Sequence, residues 1–251
     1  MRLTVATWNV EYAAGPERNA RRRALVKDAE ADVVVLTETH DELSLDGDRA
    51  ESTAERAGAR AGARWTTIWT RLDVRRRLPT ADADRTVAVE LEGDVIVYGT
   101  VLPWHSDSGP AGGRQANWSE YKRVVPLQGA EWRTLRQKYP GHALVVAGDF
   151  NQSLADRHYY GGREQRRLLE TTCAQSDRLL LTRAAHEQVP LAHPAIDHIA
   201  VAPPAGKVVP VRHIFGWEGA WDRPGRLSDH SGVGVVLEVQ DSKAADGPSC
   251  K

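Results

Sequence analysis

A carboxylate and an amide follow directly on an apolar run at Gly148-Asp149-Phe150-Asn151, just after Ala143 to Ala147. A short run of that type predicts a buried strand, so the motif reads as a rigid strand carrying Asp149 and Asn151 at its tip. Five further stretches set comparable groups at strand ends or in adjoining loops: Asn9, Glu38, His105, Asp197, and Asp229 with His230. Oxygen donors dominate this set, which suits a hard divalent cation such as Mg²⁺ or Mn²⁺. Neither a cysteine cluster nor a His-x-x-x-His spacing calls for zinc. An Asp near a His would orient the imidazole and raise its pKa, so that it meets a developing anion as a cation. Metal, imidazolium and amide together are what phosphoester hydrolysis uses: charge neutralisation, an oriented water and donors for the transition state. Taken singly, each group also has a plain explanation, since Asp and Asn are ordinary turn residues.

The elements that must position these groups follow from periodicity. Leu3 to Trp8 reads as a strand ending at Asn9, and Asp32 to Thr37 as a β-branched strand ending at Glu38. Between them Pro16 to Glu30 reads as a basic amphipathic helix, with Ala20, Leu25, Val26 and Ala29 facing inward. Asp41 to Arg64 is polar and rich in Ala and Gly, and reads as a loop with at most one helix. Trp65 to Leu72 and Thr86 to Leu91 read as strands on either side of a basic loop, Arg75-Arg76-Arg77. Glu92-Gly93-Asp94 has turn chemistry before a strand from Val95 to Leu102, a hairpin pattern that requires a mixed sheet. Helices are expected over Trp118 to Tyr139 and Arg163 to Cys173, a short apolar run at Arg178 to Leu181, and strands at Ile196 to Val201, Val208 to Phe215 and Gly232 to Val239. The whole reads as one domain over 1–239, followed by a small, polar tail over 240–251 that is expected to be disordered.

Bulk properties bound the partners. With a formal net charge of -1, the chain has no global basic field to hold long nucleic acid by counterion release. Cys173 and Cys250 make no disulfide framework, no apolar run is long enough to cross a bilayer, and the opening residues are already strand-like. These features predict a cytoplasmic monomer without a membrane span.

In this order, Thr7-Trp8-Asn9, Leu36-Thr37-Glu38-Thr39, Gly148-Asp149-Phe150-Asn151 and Ser228-Asp229-His230 resemble the endonuclease/exonuclease/phosphatase family over nearly the whole chain. That resemblance implies an α/β fold, a DNase I-like four-layer sandwich of two packed mixed β-sheets flanked by helices. It implies Glu38 as principal metal ligand with Asn9 and Asp229 close by. It implies Asp149 as the group that positions or deprotonates water, Asn151 as a phosphate donor and orienting partner, and His230, held by Asp197, as the imidazole at the scissile phosphate. His105 resembles the second histidine of the deoxyribonuclease branch. The segments Asp107 to Asn117 and Tyr159-Tyr160-Gly161-Gly162 match no known branch and are expected to flank the active-site mouth. The tyrosine that apurinic endonucleases carry in the strand before Pro103 is not evident.

The resulting expectation is a Mg²⁺- or Mn²⁺-dependent phosphodiesterase, first of all a nuclease, acting on nucleic acid or a nucleotide. Candidate phosphate contacts are Arg75, Arg76, Arg77, Arg114, Lys122, Arg123 and Arg163, while Trp217 and Trp221 are candidates to stack a base or wall the pocket. The alternatives are a phosphatase or small-molecule phosphodiesterase on the same site (nucleotide, inositol phosphate or phospholipid headgroup), and a non-catalytic or recruited protein on this fold.

Overall fold

The computed structural model describes residues 1–45, 48–109, 117–156, 159–177, 179–183, 185–219 and 225–241. Two βαβ units organise it. In the first, β1 (Arg2–Asn9) and β2 (Val33–His40) run parallel, joined by α1 (Pro16–Asp28). The chain then adds β3 (Arg49–Ser52) and β4 (Ala63–Thr70) to the same sheet, antiparallel beyond β2. A meander of β5 (Val74–Leu78), β6 (Thr86–Leu91) and β7 (Val95–Val101) opens the second sheet. Helix α2 (Ser119–Lys138) leads to β8 (Ala143–Asp149), parallel to β7 and closing the second βαβ unit. After α3 (Arg163–Gln175), β9 (Leu179–Leu180) and α4 (Ala185–Gln188), β10 (Asp197–Ala202) pairs antiparallel with β8. The short β11 (Lys207–Val208) precedes β12 (Val211–Trp217) and β13 (Gly232–Glu238), which return to the first sheet beside β1. Last, β14 (Gln240–Asp241) pairs with β11, so pairing runs two residues beyond position 239.

The sheets have the orders β12-β13-β1-β2-β4-β3 and β5-β6-β7-β8-β10-β9. Their inner faces meet in one core, with Val5, Val33, Val35 and Ile68 from one sheet and Val87, Val97, Val145 and Ile199 from the other. The alternate residues Ala6, Val34 and Leu36 face outward beneath Val26 of α1. On the far side, Ile96, Tyr98 and Val146 pack under Tyr121, Val124 and Trp132 of α2 and Leu169 of α3. The molecule is therefore the four-layer sandwich expected, and it explains why the central strands read as unbroken apolar runs: both faces are covered.

Three local expectations are corrected. The polar stretch before Arg64 contains an edge strand, β3, and no helix among its described residues. Arg75, Arg76 and Arg77 lie in strand β5 and not in a loop, with Arg75 donating to Asp94 at 3.0 Å and Arg76 to Glu90 at 2.6 Å. An edge strand with one wet face can be polar throughout when its charges pair across the ladder. The inner face of α1 is made by Asn19, Arg22 and Val26, with Leu25 and Ala29 half-buried and Ala20 exposed.

Candidate active site

The parallel pairs β1/β2 and β7/β8 end at the same edge of the sandwich, and register does the rest. Asn9 closes β1, Glu38 sits near the end of β2, and Asp149 closes β8 directly opposite Asp197, the first residue of β10. Gly148 is required at its position: its φ is 143°, and a Cβ there would run into the Thr100 carbonyl oxygen. Glu38 and Asn151 both stand at φ 51°, a left-handed conformation that costs a residue with a Cβ about 1–3 kcal/mol and concentrates at functional sites.

Each acidic group is fixed by named partners. Asp149 Oδ1 accepts the Asn151 backbone N–H at 2.8 Å, and its Oδ2 accepts the side-chain amides of Asn9 and Asn151, both at 3.1 Å. The second Asn151 amide hydrogen goes to the Leu102 carbonyl at 2.8 Å. Both hydrogens are thus taken, and in this arrangement Asn151 holds Asp149 in place. Asp197 Oδ1 accepts the Asn9 backbone N–H at 2.9 Å, while its Oδ2 accepts Nδ1–H of His230 at 2.6 Å. The Ser228 hydroxyl donates to the Asn9 carbonyl at 2.5 Å and accepts the His230 N–H at 3.0 Å, and Trp8 Nε1 donates to the His230 carbonyl at 2.9 Å. The Ser228-Asp229-His230 loop is in this way tied to the end of β1.

The electrostatics follow from burial and proximity. Burial alone would push the His230 pKa down, but the carboxylates of Asp197, Asp149 and Asp229 outweigh it and raise it to about 10. At neutral pH the ring is a cation, and its Nε2 lies 3.8 Å from Asp229. Burial raises Asp149 to about 7, against the pull of His230 and the donors just described. Burial likewise raises Glu38, partly offset by His230 and by a hydrogen bond from the Asn9 side chain. A cavity of about 430 Å³ is lined by Glu38, Asp149, Asn151, Asp229 and His230, with Glu11, Tyr12, Trp104, Tyr159, Tyr160 and Ile196 around them.

The donor set fits a divalent cation. Asp149, Asp197 and His230 offer ligand atoms within 4.8 Å of one another, but both Asp197 oxygens already serve Asn9 and His230. Glu11 is paired with Arg226, which leaves Glu38 and Asp229 facing the cavity, and Asp229 raises the cost of ionising Glu38. Two crowded carboxylates are hard ligands whose repulsion a Mg²⁺-type ion would relieve, and the Asn9 side chain stands beside Glu38.

Eight of the sequence candidates come together here or directly behind the cavity wall: Asn9, Glu38, Asp149, Asn151, Asp197, Asp229, His230 and, from the aromatic segment at the mouth, Tyr160. His105 does not join them: it is exposed, with Nδ1 3.2 Å from the Ser106 hydroxyl and Nε2 3.1 Å from the Asn117 side chain. Lys122 pairs with Glu164 at 2.8 Å, and Arg123 is clasped by Glu120, so both charges are satisfied away from the cavity. Arg75 and Arg76 pair beside the start of β7, at the opposite end of the sheet. Trp217 packs edge-on against Trp8 with centroids 5.8 Å apart and so supports the floor from behind. Arg114 and Trp221 lie outside the described residues.

Sequence reasoning missed Arg22 and two members of the aromatic wall, Tyr12 and Trp104. Arg22 is 1% exposed and donates through Nε and Nη2 to the Leu227 carbonyl at 2.9 and 2.5 Å, fixing the backbone just before Ser228. A basic residue on a helix gives no local sign that its guanidinium will be buried. Tyr12 and Trp104 follow strand ends, and that position was their only signal.

The sequence model of the endonuclease/exonuclease/phosphatase family matches residues 6–230. Among solved structures, the chain is similar to the NExo 3′ phosphatase from Neisseria bound to a product DNA hairpin, with TM-score 0.68 and 16% identity over 94% of this chain and 99% of that one. It is also similar to the 3′-5′ exonuclease NExo from Neisseria meningitidis, with TM-score 0.65 and 16% identity over 93% and 98% of the two chains. An endonuclease/exonuclease/phosphatase from Beutenbergia cavernae aligns with TM-score 0.59 and 21% identity, over 95% of this chain and 72% of that one. At these identities the likeness is one of fold. A search of curated proteins returns no match.

Proposed function

The chain belongs to the endonuclease/exonuclease/phosphatase family, a family of phosphoester hydrolases, and on that premise we propose that it is a Mg²⁺- or Mn²⁺-dependent phosphodiesterase acting on nucleic acid. The observation that carries this reading is the composition of the cavity. Of the four carboxylates that line it, Glu11 is paired with Arg226, while Glu38, Asp149 and Asp229 face one imidazolium, His230, under a rim of Tyr12, Trp104, Tyr159 and Tyr160, and no Lys or Arg lines it among the described residues. A substrate with several phosphates, such as an inositol polyphosphate, would call for several cations. A single phosphodiester flanked by flat, neutral bases matches one cation, one metal site and aromatic faces.

A divalent cation held by Glu38 with Asp229 and Asn9 would neutralise charge on the phosphate oxygens. Asp149, held by Asn9 and Asn151 and raised to about 7, orients the attacking water and accepts its proton. The oxygen of that water forms the new bond to phosphorus as the bond to the leaving ester oxygen breaks. His230, held charged by Asp197, donates from Nε2 to the phosphate as negative charge builds. No helix of the described residues is long and apolar enough to cross a membrane, and nothing in the cavity favours a lipid headgroup.

A second reading is removal of a terminal phosphate from a nucleic acid strand, favoured by the 3′ phosphatase and 3′-5′ exonuclease activities named for the two Neisseria structures. The test is a panel of plasmid, single-stranded DNA, RNA, bis-p-nitrophenyl phosphate and phosphomonoesters, with Mg²⁺ or Mn²⁺ and with EDTA. The expected result is diester cleavage that EDTA and Asp149→Ala abolish. Turnover of monoesters alone moves the protein to the phosphatase reading, and full activity in EDTA-treated protein refutes the metal assignment.

A further inference from the structure

A second cavity, of about 420 Å³, adjoins the catalytic one and shares Trp104 as a wall. Its aromatic face is a pair, Trp65 and Trp104, with ring centroids 5.7 Å apart and planes tilted by 43°. The Arg56 guanidinium lies 3.6 Å above the Trp65 ring and donates at 2.9 Å to the hydroxyl of Tyr12, itself part of the catalytic rim. The other cation of this cavity, Arg85, is buried and committed to Asp107 at 2.8 Å and Asp82 at 3.6 Å. Arg56, by contrast, forms no ion pair among the described residues, and its charge is felt at Glu38. A guanidinium without an ion pair among the described residues, stacked on an indole in a cavity that Glu55 and Asp84 also line, is placed to take an anion beside the catalytic cavity.

We infer that Arg56 and Trp104, backed by the buried Trp65, form a subsite for the nucleotide adjacent to the scissile phosphate of a single-stranded nucleic acid, with Arg56 on the neighbouring phosphate and the Trp104 indole under its base. The inference rests on the nuclease reading and narrows it. Bases in a duplex are already stacked on one another and cannot use such a face, whereas unpaired bases can. The near-neutral net charge fits a short contact with a strand and not a long electrostatic track. The subsite also explains how a cavity with no Lys or Arg in its wall among the described residues can recruit a polyanion: the cation stands one nucleotide away.

The test compares two substrates that differ in whether they reach the subsite. Hydrolysis of a short oligothymidylate and of bis-p-nitrophenyl phosphate is measured with Mg²⁺ for the wild type, Arg56→Gln and Trp104→Leu. Binding of a fluorescein-labelled oligothymidylate is measured on the Asp149→Ala protein with and without Arg56→Gln. The expected result is a KM for the oligonucleotide at least about tenfold higher in both variants, with a loss on the small diester several-fold smaller, and labelled strand released by Arg56→Gln. Equal losses on both substrates, or none on either, overturn the subsite while leaving the nuclease reading intact. Turnover of the small diester by a wild type that neither binds nor cleaves the oligonucleotide overturns both.

Discussion

Replacing Asp197 by Asn tests the electrostatic core of the site without removing a side chain. Asp197 is fully buried; its Oδ1 accepts the Asn9 backbone N–H at 2.9 Å and its Oδ2 accepts Nδ1–H of His230 at 2.6 Å. An Asn can keep the first bond through its carbonyl oxygen. It then presents an NH₂ to Nδ1, which must accept, and the proton of a neutral ring moves to Nε2. The charge goes with it. In the wild type, acids raise His230 to about 10 against its burial; Asp197 is the first of those acids, so without it the value falls, while Asp149 and Asp229 go on raising it. Each pKa unit lost weakens the preference for the charged ring by about 1.4 kcal/mol. At pH 8 the wild-type ring is almost wholly charged, and a fall of about two pKa units or more leaves half of it or less so. A cation that stabilises the transition state carries on the order of 100-fold or more in rate. The expected outcome is a variant that keeps part of its activity at pH 6 and loses most of it by pH 8, so that its pH profile moves toward acid. Hydrolysis of bis-p-nitrophenyl phosphate from pH 6 to 9 reads the rate, and NMR titration of the histidine ring reads the charge. Activity within threefold of wild type at pH 8, or an unchanged His230 titration in a correctly folded variant, would refute the reasoning.

Three further outcomes follow from the same geometry. His198 is buried between Thr182, whose hydroxyl lies 3.1 Å from Nδ1, and the Gln152 carbonyl at 2.8 Å from Nε2; burial pushes its pKa down to about 4. Because the folded value lies below the unfolded one, stability is complete above pH 6.5. It declines as pH falls toward 4, by roughly 3 kcal/mol in all, and urea unfolding should show this slope in the wild type and lose most of it in His198→Leu. Arg22→Met should cost about 2–3 kcal/mol by leaving the Leu227 carbonyl unpaired; hydrogen exchange should quicken over 225–230, and kcat should fall although Arg22 touches no substrate. Gly148→Ala should destabilise by more than about 2 kcal/mol or fail to fold, since φ 143° and the Thr100 carbonyl leave no room for a methyl group; an unchanged melting temperature would contradict that geometry.

Much of the framework is written locally. Strands such as β2 and β8 are covered on both faces, so Val33 to Leu36 and Ala143 to Ala147 are apolar without a break, and each run was visible without knowledge of its neighbours. The polar residue that ends each run stands out for the same reason, which is why Asn9, Glu38 and Asp149 could be singled out and why their order along the chain resembled one family. Strands β3 and β5 were not legible. Their residues are polar, and only pairing with β4 and β6 makes them strands. Likewise, Arg75, Lys122 and Arg123 looked equally available for a phosphate until their partners Asp94, Glu164 and Glu120 came into view.

Local pattern was enough to identify the chemical groups this protein carries and to set them at the ends of buried strands, because burial constrains residue type one position at a time. Tertiary structure alone decided which of those groups meet. The register of β8 against β10 sets Asp149 opposite Asp197. Burial among acids makes His230 a cation. Trp217 is turned onto Trp8 while Trp104 is set between two cavities. These outcomes depend on distances between residues up to 222 positions apart, and a through-space distance has no local signature in a chain.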